Sequence, residues 1–159
     1  MDYSLLKEGN IIRYHGSLPA YSGQTGRIIS RREDEAFMLA IKGFPDDAEH
    51  EIAAYPNEIS PVHMHVDLFI RLGFWQNEQT KILTRNNINA RSFTYVKDVQ
   101  NERGERGRLY DFKGFRLFIG VIPIDFNETD VLANTIDVNT FHALQNYYST
   151  NFGENLVLP

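Results

Sequence analysis

From Val138 to Leu156 the chain carries one periodic signal that few folds can satisfy. Val138, Phe141, Leu144, Gln145 and Tyr148 recur at helical spacing, Phe152 prolongs the same face, and Gly153 stands where a left-handed residue ends a helix. With Asp137 as N-cap, the spacing predicts a helix over about 137–152, and Leu156-Val-Leu158 returns as a short strand. A helix with one aromatic and aliphatic face must bury that face against another element. The end of the chain therefore predicts a packing helix that closes a mixed α+β domain.

The upstream segments supply the sheets. Ile11–Tyr14, Gly26–Arg31, Ala36–Ile41 and Glu51–Tyr55 are short β-favouring runs, separated by turns rich in Gly, Pro and Asp. Their even spacing predicts a curled antiparallel sheet or partly open barrel, with an SH3-like small β-barrel over residues 1–62 as the specific choice. Pro61 then opens a new segment. Val66, Phe69, Ile70 and Phe74 fall at helical spacing and Gly73 supplies the stop, so a short helix is expected over about 64–72. Strand patterns follow at Phe74-Trp75, Lys81–Thr84 and Ser92–Val96, with a further hairpin, 109–112 and 115–120, turning at Lys113-Gly114. Pro123–Glu128 reads as an edge strand and Asp130–Ala133 as a helical turn. The second lobe, 63–159, is thus a helix, an antiparallel sheet and the C-terminal packing helix, and the two lobes form either separate domains or one compact body.

Three sequence features carry a family likeness. They are Leu6-x-x-Gly9-Asn10-x-Ile12, Ile59-x-Pro61-Val62 ahead of Leu72-Gly73-Phe74, and the tail His142-x-Leu144-Gln145-Asn146-x-Tyr148 followed by Gly153-x-x-Leu156. In these the chain resembles a group of small uncharacterised proteins of Bacteroidetes and their phages and mobile elements. That group's tail reads His-x-Leu-Gln-Asn-Leu-Tyr and then Thr-Gly-Glu-Glu-Leu. Here Tyr147 replaces the Leu, and Asn151-Phe152 precedes the Gly. The likeness covers the two ends and the junction, and not the middle. The group has no established activity, so it implies a phage-type accessory role and carries over no catalytic residue.

Charge and composition narrow the functions. A net charge of -5 opposes general affinity for nucleic acid or an anionic membrane. No apolar run approaches the roughly 18 residues of a membrane span. The absence of cysteine removes thiolate nucleophiles and Cys-based zinc sites. The expectation is a soluble cytoplasmic protein without a cofactor. Phosphate loops, dinucleotide fingerprints, the Gly-x-Ser-x-Gly elbow and His-Glu-x-x-His are all missing, so no catalytic residue is assigned and an enzyme is disfavoured.

Two constellations remain. His63 and His65 alternate on an extended segment, where two imidazoles can meet one divalent ion, with Asp67 or the distant Glu51 as an oxygen ligand. The competing reading is a helix-start loop with exposed imidazoles. Arg103, Arg106, Arg108, Lys113 and Arg116 interleave with Tyr110, Phe112 and Phe115, a composition suited to phosphate pairing and base stacking. Glu102, Glu105 and Asp111 offset that charge, and residues 101–107 read better as a solvated loop. His142 is expected to be structural, and Gln145-Asn146 to tie the helix to a neighbouring strand or loop. The leading expectation is a protein-interaction protein, with metal-dependent catalysis and nucleic-acid binding as alternatives.

Overall fold

The computed structural model describes residues 1–42, 48–100, 104, 106–119 and 136–158; along 93–100 and 106–113, and at 119, it describes the backbone. The architecture is α+β, with two antiparallel five-stranded sheets. Contacts divide the chain into two compact units. One comprises Met1–His63 with Thr140–Pro159, and the other is the intervening Met64–Asn139.

In the first unit, β1 (Ile11–Tyr14), β2 (Thr25–Arg31), β3 (Phe37–Lys42), β4 (Glu49–Ala54) and β5 (Ile59–Pro61) lie in the order β4-β3-β2-β1-β5. Alternate side chains point inward, as strand geometry requires. Ile12 and Tyr14, Ile28, Phe37, Leu39 and Ile41, Ile52 and Ala54, and Ile59 form one buried cluster. Gly26 sits between Ile12 and Ile41 in the ladder, and a Cβ there would lie 2.5 Å from Ile41 Cγ1. Among the described residues no pairing joins the edges β4 and β5, so the sheet is open.

The C-terminal helix, α2 (Phe141–Phe152), starts at Thr140 and ends at Gly153, whose φ of 65° is left-handed as expected. Phe141, Leu144 and Tyr148 are buried. The sequence places this helix in the second lobe, but the structure groups it with the first unit. The reason is local: Phe141 N–H donates to Val62 O at 2.8 Å, and the Gln145 side chain accepts from Ile11 N–H at 2.8 Å. Residues 156–158 form no strand. The Leu156 carbonyl is taken instead by Gln145 Nε2 at 2.8 Å.

In the second unit, α1 (Val66–Arg71) is shorter than the predicted 64–72 and ends before Gly73, which has φ 87°. The sheet holds β6 (Trp75–Gln76), β7 (Leu83–Arg85), β8 (Ile88–Gln100), β9 (Arg106–Ile119) and β10 (Ile136–Val138), in the order β10-β9-β8-β7-β6. Phe69 of α1 packs its ring 4.9 Å from Phe74 and 4.6 Å from Phe115. Between β7 and β8 the chain turns through Asn86 and Asn87, both at positive φ, the two-residue hairpin that asparagine tolerates.

Two expectations are corrected in this unit. Lys113-Gly114 is no turn: β9 runs through it, and the pairs Thr94↔Lys113 and Phe93↔Gly114 belong to the β8–β9 ladder. Asp137 is no helix cap. It lies in β10, opposite Arg116, and grips that guanidinium through two hydrogen bonds of 2.7 and 3.0 Å. The expected edge strand and helical turn at 123–133 lie outside the described residues.

Candidate functional site

His63, His65 and Asp67 are all exposed. His63 forms a lone antiparallel bridge with Thr140 in the first unit. His65 and Asp67 belong to the second unit, where His65 is the N-cap of α1. Its Nδ1 accepts a hydrogen bond from Leu68 N–H at 3.2 Å, and Asp67 occupies the first turn. That bond explains the His at this position, because the first amides of a helix have no partner within it. Among the described residues no group of three or more His, Asp or Glu is arranged to hold a metal ion.

The basic-aromatic segment maps onto β9 and its approach. Arg103 lies outside the described residues, as do Glu102 and Glu105. Arg106, Arg108 and Tyr110 occupy register positions opposite Gln100, Asp98 and Val96. Arg116 is half-buried and committed to Asp137 in the paired geometry that favours a guanidinium on a carboxylate. It is therefore a structural residue of the β9–β10 pair.

The length of this hairpin could not be read from the sequence. β7 pairs with β8 only over Ile88–Ala90, and β10 pairs with β9 only over Phe115–Leu117. Beyond Ser92↔Phe115 the two long strands continue together from Phe93↔Gly114 to Gln100↔Arg106, with a bulge between Tyr95 and Val96. Among the described residues, no other strand pairs with that outer stretch.

No family model matches the chain. No curated protein and no solved structure matches it either. The site is therefore built from this protein's own geometry. Among the described residues no helix is long and apolar enough to cross a membrane.

The tail residues His142, Gln145 and Asn146 do structural work. Gln145 is 6% exposed. Besides the Ile11 and Leu156 bonds, its Nε2 donates to Gly9 O at 3.1 Å. Asn146 accepts from Asn10 Nδ2 at 3.0 Å and donates to Leu5 O at 2.9 Å. The amide pair thus ties α2 to the segment 5–11 and to the tail, and the Leu6–Ile12 and His142–Tyr148 motifs meet in one network.

His142 is 5% exposed. Its Nε2 lies 3.3 Å from Thr140 Oγ1, and its Nδ1 has no hydrogen-bond partner among the described residues. Burial first, and the positive amino terminus second, hold its pKa below the ordinary 6.5. The unfolded chain takes up this proton at the ordinary pKa, while the folded chain resists until the pH is lower. The stability that neutral His142 allows is therefore complete above pH 6.5 and is lost progressively as pH falls from there to the folded value. Melting curves against pH should show a stability difference between wild type and His142→Gln that shrinks on acidification through that window. A difference that stays flat would mean the imidazole does not titrate differently on folding.

Proposed function

We propose that this is a non-enzymatic binding protein that acts on another protein, and that the outer stretch of β8 and β9 is its contact element. One observation carries this: the ladder continues from Phe93↔Gly114 to Gln100↔Arg106 where neither β7 nor β10 accompanies it. A two-stranded ribbon is marginally stable alone in water. Among the described residues no third strand pairs with its edges, and such an edge offers N–H and C=O groups to an added strand. The sequence of the stretch, with Phe93, Tyr95, Val96, Val99, Leu109, Tyr110 and Phe112, is rich in the side chains that protein interfaces favour. The same unit leaves Trp75, the chain's single tryptophan, 64% exposed.

An SH3-like small barrel is the scaffold proposed for the first unit. Supporting this are the five-strand order with the last strand returning to pair with the first, and the 3₁₀ turn Pro56–Glu58 leading into β5. Such scaffolds host many functions, so the analogy supports binding only weakly. The phage or mobile-element setting rests on the sequence resemblance alone. Nucleic-acid binding through the same ribbon is less favoured, because Arg116 is held by Asp137, Asp98 stands opposite Arg108, and the chain is acidic. A metal-dependent enzyme at His63, His65 and Asp67 rests on the sequence pattern alone.

Site-specific photo-crosslinking in the native host tests the proposal. A photoreactive residue at Lys97 is expected to give discrete protein adducts that are absent when the same group replaces the exposed Glu51 on β4. Adducts to nucleic acid alone would move the assignment to the second reading. Adducts at neither position, or at both alike, would remove the ribbon as the contact element.

A further inference from the structure

A depression of about 290 Å³ lies on the first unit, between the turn 7–10, β2, α2 and the tail that follows it. The amide network just described forms part of its wall, and the hydrogen count of those amides is informative. Each amide nitrogen carries two hydrogens. Asn10, 3% exposed, gives one to Asn146, and Asn146 gives one to Leu5 O. The second hydrogen on each is claimed by no described residue, and both side chains line the depression.

The charged groups around it point the same way. Lys7 and Arg27 line the depression from two different elements, and the Lys7 ammonium forms no ion pair with any described residue. Among the described residues Arg27 has only long contacts with Glu49, 3.5 Å to each carboxylate oxygen between two exposed groups, of little energetic weight. Glu8 also lies in the lining and opposes them, so the three charges leave a net positive concavity on an acidic protein. The carbonyls of Gly9 and Leu156 each already accept from Gln145.

We propose that this depression binds an oxyanion, the phosphate or carboxylate group of a small ligand, with Lys7 and Arg27 supplying charge and Asn10 and Asn146 supplying amide hydrogens. The volume equals that of about ten liquid water molecules, enough for the anionic group and a compact body attached to it. This site belongs to the first unit and does not depend on whether the β8–β9 ribbon binds a protein.

Titration of the full chain with inorganic phosphate and, separately, with acetate at constant ionic strength tests it, read by amide chemical shifts. Saturable shifts are expected at Gly9, Asn10 and Ser149. The exposed double variant Lys7→Ala/Arg27→Ala should keep its fold and lose about tenfold or more in affinity, as removal of charge-assisted hydrogen bonds predicts. Glu8→Gln should tighten binding, because it removes the opposing carboxylate. Saturation by phosphate alone or by acetate alone identifies which group the site takes; saturation by both assigns it to oxyanions in general. No saturation by either ion, or saturation that the double variant does not weaken, overturns the proposal.

Discussion

Gln145→Ala is expected to destabilise the first unit by about 3 kcal/mol or more, far beyond the usual effect of a surface amide. Truncation leaves Ile11 N–H and the carbonyls of Gly9 and Leu156 without their partner at a position only 6% exposed. A backbone group left unpaired away from water costs about 1–3 kcal/mol; Leu156 O is buried, while the bonds to Ile11 N–H and Gly9 O are partly buried. Gln145→Glu separates hydrogen bonding from packing. It keeps the shape but cannot donate to the two carbonyls when ionised, so it should be at least as damaging near neutral pH. Asn146→Ala, at a half-buried position, should cost less, about 1 kcal/mol. Denaturant unfolding followed by far-UV circular dichroism measures all three. If Gln145→Ala changed stability by less than about 0.5 kcal/mol, water would be replacing the amide and the network would not hold α2 in place.

Phe69→Ala should cost the second unit about 3–5 kcal/mol. Phe69 is fully buried, and its ring touches those of Phe74 and Phe115, so it joins α1 to the turn after it and to β9. The loss combines the transfer free energy of the ring with the cavity that α1 leaves unfilled. Trp75 is the chain's single tryptophan and belongs to the same unit, which makes its fluorescence a local reporter. The Trp75 transition should move to lower denaturant in Phe69→Ala. A variant with an unchanged midpoint would show that α1 is not seated on the sheet through this ring.

Much of the local structure was legible because it depends on short-range physics. The strands of the first unit follow period-two burial between Gly, Pro and Asp turns, and β1 begins and ends at the predicted residues. Gly153 stops α2 because its φ is positive, a cost that other residues resist. The misreadings share a different cause. Lys113-Gly114 has turn chemistry, yet pairing with β8 across the whole ladder overrides it, since strand preference is set by neighbours more than by the residue itself. Asp137 has the chemistry of a helix cap, but Arg116 on the adjacent strand claims its carboxylate. For the candidate metal residues, the sequence supplied the alternation of His63 and His65, but not that His65 caps α1.

By itself the sequence determined that α2 exists, that Phe141, Leu144 and Tyr148 form its buried face, where it stops, and that the chain is an α+β protein with antiparallel strands. Only the tertiary structure decided that α2 belongs to the first unit and that β8 and β9 run on past their neighbours. Helix and turn signals arise within a few residues of chain. The partner of a buried amide or of a strand edge is set by groups more than a hundred residues away for Gln145 and Ile11, and on another strand for β9, where no local pattern records it.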